Sequence, residues 1–136
     1  MLATPAVILT AAVTLLAILI TIAFAIMVSR VRREFHVPPP AITGPGEFER
    51  TVRIHANSVE VMVLFVPALW LATLYFHGWI VPLIGLIWCL ARIAYYFGYR
   101  QEAAGRMPGF VISQLALLAL VILAAIGVFN AWMVAG

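Results

Sequence analysis

Four apolar runs, separated by charge clusters or turn residues, organise the chain. The first extends from Thr4 to Val28 and stops at Arg30, Arg32 and Arg33. The second runs from Ser58 to Phe76 and closes at His77-Gly78. The third begins at Trp79, stays apolar to about Ala91 and is expected to continue as helix through Tyr99. The fourth covers Phe110 to Val134. A bilayer core about 30 Å thick takes roughly 20 helical residues, so each run is long enough to cross it, with tilt where it is longer. The elements must be helices, because lipid offers backbone amides and carbonyls no hydrogen-bonding partner. The expected architecture is therefore an all-α bundle of four transmembrane helices, with spans near 4–28, 58–76, 79–99 and 110–134 of one domain covering 1–136. No repeat or low-complexity tract interrupts it.

Composition agrees with the pattern. Of 136 residues, 65% are hydrophobic and 10% charged, and the mean hydropathy is +1.13. Soluble domains carry roughly 25% charged residues, so a water-soluble or nucleic-acid-binding protein is a poor fit. The single cysteine, Cys89, allows no internal disulfide, and in an apolar helix it behaves as a small hydrophobe. The first run reads as a membrane anchor and not a signal peptide: its arginines follow the apolar stretch instead of preceding it.

Charge placement adds orientation. All 8 basic residues are arginine and all 5 acidic residues are glutamate. Arg30, Arg32, Arg33, Arg50 and Arg53 lie between the first and second runs; Arg92, Arg100 and Arg106 lie at the end of the third and just beyond it. With four spans these regions share one side. The positive-inside rule makes that side cytoplasmic and places both termini on the other. Trp79 and Trp132 then fall at the outer interface, and Tyr95, Tyr96 and Tyr99 near the inner one. The absence of lysine is open to two readings, a genome that favours arginine or a requirement for planar, permanently charged, bidentate anion ligands.

The polar residues near the arginine side form stripes. Read as helix, Arg50, Arg53, Asn57 and Glu60 share one face, and on the third span Arg92, Tyr95 and Tyr99 do the same. A carboxylate at the depth of Glu60 needs a partner. One reading is a structural Glu60–Arg92 ion pair that locks the bundle. The other sees Arg32, Arg33, Arg53, Arg92 and Arg106 as a surplus of positive charge beside a membrane pocket, suited to a small anionic or zwitterionic ligand whose ammonium Glu60 could hold. His77 sits in a tight outer turn without metal-ligating company, so no metal site is expected. His36 lies beside the Pro38-Pro39-Pro40 loop, where a surface role is expected, and His55 lies near the stripe but off its centre. Ser113 and Gln114 suit hydrogen bonds across helices.

These motifs, in this order, resemble the family of membrane-associated proteins in eicosanoid and glutathione metabolism. The resemblance covers essentially the whole chain and rests on Arg32-Arg33-Glu34-Phe35, on Thr43-Gly44-Pro45-Gly46-Glu47-Phe48-Glu49-Arg50, on Arg53-x-His55-x-Asn57-x-x-Glu60, and on Arg92-x-x-Tyr95-x-x-x-Tyr99 followed by Arg106. Within the family the chain looks most like the branch of cysteinyl-leukotriene synthases and microsomal glutathione transferases. The resemblance implies a homotrimer of four-helix subunits that binds glutathione between neighbours near the cytoplasmic boundary. It places Arg32, Arg53, His55, Asn57, Glu60, Tyr95 and Tyr99 in contact with glutathione, Arg106 on the thiolate, and Arg33 in an auxiliary role in the chemistry. His55 and Val61 depart from the synthase pattern, Val61 standing where that pattern has a glutathione-contacting tyrosine. The activity implied is transfer of glutathione to hydrophobic electrophiles, with reduction of lipid hydroperoxides as a further use of the same thiolate. The alternatives are a non-catalytic lipid-binding or scaffold protein of the same fold, or a small transporter. The transporter is disfavoured because spans one and four offer no polar path.

Overall fold

The computed structural model describes residues 4–136 and contains four long helices joined by short connections. Helix α1 (Pro5–Glu34) starts where the Thr4 hydroxyl accepts a hydrogen bond from the Val7 amide and Pro5 occupies the first turn, a position that needs no amide hydrogen. It ends with Arg32 and Arg33 in its last turn, where cations oppose the negative end of the helix dipole. Helix α2 (Gly46–Phe76) opens with Glu47 and Glu49 at its positive end and closes on His77 in the left-handed conformation. Helix α3 (Ile80–Gln101) is followed by a single 3-10 turn, Ala104–Arg106, that feeds directly into α4 (Met107–Ala135).

All four helices are long and apolar enough to cross a membrane, and the protein is an integral membrane protein. Their ends differ from the hydrophobic runs. At 1.5 Å per residue α1 and α2 reach about 45 Å, well beyond a hydrocarbon core of about 30 Å. The arginine cluster does not stop α1, which carries Arg30, Arg32 and Arg33 outward on a continuous helix. Likewise α2 begins at Gly46, well before the apolar run that opens at Ser58, so the whole polar stripe stands on the same rigid rod as the span.

Helices α2 and α3 form the centre. Each packs against the other, against α1 and against α4, whereas α1 and α4 make no contact among the described residues. The core between them is tight: Phe65 and Trp88 stack with ring centroids 3.8 Å apart, and Phe24 lies on Tyr96 at 5.1 Å. Ala17, Leu69, Ala72, Val81 and Leu120 fill the remaining space and are fully buried. In a membrane the helices are held by such close packing and by hydrogen bonds between them. The Thr10 and Thr73 hydroxyls lie 2.8 Å apart in the core, and the Trp70 indole N–H donates to Thr14 at 3.1 Å. Because Thr73 donates its own proton to the Leu69 carbonyl, Thr10 is the donor of that pair. Ser113, expected to bond across helices, instead donates to the Phe110 carbonyl within α4.

Two close approaches place the polar end of α4. Gly98 on α3 faces Gly105 in the 3-10 turn so closely that a Cβ on either would fall inside the other's backbone. One turn of α4 later, Gly109 meets the backbone of Ala91 and Tyr95 in the same way. With no side chains between them, the turn and the start of α4 are laid directly onto the face of α3 that carries Tyr95 and Tyr99.

Candidate functional site

That junction encloses a cleft of about 220 Å3 lined by Arg53, Asn57, Tyr95, Arg106, Met107 and Phe110. It is built from three elements. Helix α2 supplies Arg53 and Asn57, four residues apart on one face. Helix α3 supplies Tyr95, buried and in tilted contact with the rings of Tyr99 and Phe110. Arg106 caps α4, exposed to solvent, with Met107 and Phe110 forming the apolar edge where that helix begins.

The hydrogen bonds order these groups. Nη1 of Arg106 donates to the Tyr99 hydroxyl at 3.4 Å, and the guanidinium carbon sits 5.3 Å from the centre of that ring. Arginine has no acceptor, so the Tyr99 oxygen receives this bond and its own proton stays free for a second partner. Arg53 and Glu60 pair at 3.0 Å, both about half exposed, which places one carboxylate at the edge of an otherwise cationic cleft. Glu60 therefore does not pair with Arg92. Arg92 is fully buried and donates through Nη2 to Asn57 and Ser58, with its guanidinium 4.1 Å from the centre of the Tyr95 ring.

The remaining residues named for the site lie elsewhere in this chain. Arg32 donates to the carbonyls of Ala41 and Val37 and stacks over Phe48, holding the α1–α2 loop to the end of α1. It lines a separate groove with the exposed Arg33, His36 and Pro38. His55 is half-buried on α2 and, two residues from Arg53, about 200° around the helix from it. Arg50 leaves the stripe altogether: its Nε donates to the Arg100 carbonyl, next to an Arg100–Glu47 ion pair of 2.8 Å. The five arginines expected to converge are thus divided within a single chain: Arg53 and Arg106 line the cleft, Arg92 is buried behind it, and Arg32 and Arg33 line a separate groove.

Sequence reasoning missed Met107 and Phe110, which follow Arg106 at one and four residues and so lie along the helix start it caps. It also missed Ser58, Arg92's partner, for which adjacency to Asn57 was the only available signal. The Glu47–Arg100 pair joins residues 53 positions apart and had none.

The cleft and its tyrosine and arginine wall fall within residues 10–126, the segment matched by the MAPEG family model, which also takes in most of the four-helix frame. Similarity to curated proteins likewise covers most of the chain. A leukotriene C4 synthase of Bos taurus is 43% identical over 117 residues, which are 86% of this chain and 78% of that protein. A microsomal glutathione S-transferase 2 of Homo sapiens is 37% identical over 126 residues, 93% of this chain and 86% of that protein. A match over this much of a chain whose helices also form the expected bundle leaves one assignment, and the protein belongs to the MAPEG family.

Proposed function

We propose that this protein is a membrane-bound glutathione transferase, and that its glutathione site is built on the cleft of Arg53, Asn57, Tyr95 and Arg106. The observation that carries the reading is Arg106 in the wall of that cleft, its guanidinium donating to the Tyr99 hydroxyl at 3.4 Å, beside the apolar edge of Met107 and Phe110. Named relatives that act on glutathione or form leukotriene C4 support the same substrate.

The chemistry follows from the side chains. A free thiol has a pKa of about 8.5 and is mostly protonated at neutral pH. A guanidinium held beside the sulfur stabilises the thiolate by direct charge interaction. It does not take the proton, because a guanidinium is permanently charged and has no acceptor site, so the proton leaves to water. The Tyr99 hydroxyl, which accepts from Arg106, keeps its own proton for donation to the same anion. The thiolate sulfur then attacks the electrophilic carbon of a hydrophobic substrate that enters from the bilayer past Met107 and Phe110. A carbon–sulfur bond forms as the leaving group departs or the epoxide opens. With a lipid hydroperoxide the sulfur attacks the peroxide oxygen instead, breaking the O–O bond to give an alcohol and the sulfenic acid of glutathione, which a second glutathione converts to the disulfide with loss of water. Arg53 grips a carboxylate of the peptide, and Glu60 lies where it meets the ammonium group.

The reading includes a homotrimer in which a neighbouring copy completes each site. Ligand pockets usually measure roughly 300–1,000 Å3, and the cleft of one chain is smaller than that. The exposed Arg53–Glu60 pair at its rim, and the separate Arg32 and Arg33 group, suit a site closed by a second copy. Arg32 then contacts glutathione, and Arg33 assists the chemistry, from the neighbouring subunit. His55, on the far side of α2 from Arg53, contributes from that second surface or not at all. The arginine-bearing end is taken as cytoplasmic, with both termini opposite.

Purified protein in detergent is expected to bind glutathione, to show a thiolate absorbance on mixing, and to conjugate glutathione to broad hydrophobic electrophiles. A preparation that binds lipid but neither binds glutathione nor forms thiolate would instead identify a scaffold of the same fold. A panel of electrophiles and lipid hydroperoxides then separates transferase from peroxidase activity.

A further inference from the structure

Arg92 is the most deeply buried charge in the described part of the molecule, fully enclosed between α2 and α3. Its Nε and Nη1 make no hydrogen bond to the described residues. A buried cation with more than half its donors unused is a burden on the fold, and a well-packed apolar side chain in its place is often neutral or better for stability. Its value lies in what its one engaged nitrogen does.

Nη2 donates to Asn57 Oδ1 at 3.0 Å and to Ser58 Oγ at 2.7 Å. The Ser58 hydroxyl gives its own proton to the Ile54 carbonyl at 2.8 Å, so its oxygen can only accept from Arg92. The direction of this chain is fixed from end to end. Arginine has no acceptor either, so the atom of Asn57 that faces it must be the carbonyl oxygen; the amide cannot be turned over without setting two donors against each other. The amide NH2 is left for the cleft, which Asn57 lines. The Tyr95 ring, 4.1 Å beneath the guanidinium, holds the cation in that position.

We infer that Arg92 is a positioning residue that fixes Asn57 as a hydrogen-bond donor, so that this part of the cleft accepts only an oxygen acceptor of the ligand, a carboxylate or peptide carbonyl. The inference rests on the glutathione reading above. It makes Arg53, Asn57 and Arg106 a set of donors only, with Glu60 beside Arg53 as the carboxylate that meets the ligand's ammonium.

A double-mutant cycle tests it. Glutathione and S-hexylglutathione are titrated calorimetrically into detergent-solubilised wild type, Arg92→Gln, Asn57→Ala and the double variant, and kcat and KM are measured for each. A glutamine side chain can accept as well as donate, so in Arg92→Gln the orientation of Asn57 is no longer dictated. Arg92→Gln is expected to weaken glutathione binding about tenfold and to raise KM by more than it lowers kcat. In the Asn57→Ala background the same change should weaken binding less than twofold. Equal effects of Arg92→Gln in both backgrounds, or no effect in either, would overturn the proposal while leaving the glutathione reading intact. Wild type that binds no glutathione would remove the reading itself, and this proposal with it. Should Arg92→Gln fail to assemble, Arg92→Lys takes its place: it still donates to Asn57, so binding within about threefold of wild type is expected, and a loss as large as that of Asn57→Ala overturns the assignment.

Discussion

Replacing Arg106 by alanine is expected to abolish the thiolate absorbance and lower conjugation at neutral pH by about 10²–10³-fold, the usual consequence of removing one donor that stabilises a reacting anion. Arg106 is exposed and its side chain makes no capping hydrogen bond at the start of α4, where Pro108 already suits the first turn, so its loss leaves the bundle standing. The change therefore falls on chemistry, not on folding. Its pH dependence identifies the cause. With the guanidinium present, the thiolate is expected to predominate well below the ordinary thiol pKa and the rate to be near its plateau already at neutral pH. Without it the rate should keep rising toward about pH 8.5, where free thiols ionise, and alkaline conditions should restore part of the activity. Arg106→Lys keeps the charge without the fork and is expected to fall between the two. Single-turnover conjugation and thiolate absorbance across pH check all three. An Arg106→Ala protein with an unaltered thiolate signal would remove this residue from the mechanism.

A methyl group at position 98 is the second change expected to matter greatly. Helix propensity alone favours Gly98→Ala by about 0.8–1 kcal/mol. The new Cβ, however, would meet the Gly105 backbone, which cannot move aside as a flexible side chain could. Overpacking of this kind costs about 1–3 kcal/mol, so the clash outweighs the propensity. The larger effect is on geometry: pushing the 3-10 turn away from α3 carries Arg106 with it, and a displacement of about 1 Å can cost on the order of 10²-fold in rate. The expected result is a modest fall in melting temperature in detergent with a drop in kcat of at least tenfold. A variant with full activity would show that the contact between Gly98 and Gly105 does not set the position of Arg106.

The frame was legible because lipid imposes so few solutions. Apolar runs of span length can only be helices, and the Arg clusters and His77-Gly78 had to lie between or beyond them. The polar stripes were legible in part. Arg53 with Asn57, and Arg92 with Tyr95 and Tyr99, share faces as helical spacing requires. Spacing does not fix rotation, however. Residues ten apart, such as Arg50 and Glu60, differ by about 80° around a helix, and packing resolved that spread by sending Arg50 to the end of α3 and Glu60 to Arg53. The partner of Arg92 was illegible for a related reason: a long cation on α3 can reach Asn57, Ser58 or Glu60, and only the approach of α3 to α2 selects the first two. The separation of Arg32 and Arg33 from the cleft follows from the α1–α2 loop, whose carbonyls capture Arg32.

The edge of the cleft formed by Met107 and Phe110 has a practical consequence for anyone assaying the protein. One reactant would arrive dissolved in water and the other dissolved in hydrocarbon, so the two concentrations are not expressed in the same volume. For the hydrophobic partner the quantity that governs saturation is its mole fraction in the lipid or micelle phase. Doubling the detergent at constant total substrate halves that fraction, and an apparent KM quoted per litre of buffer will drift with the amount of amphiphile in the tube.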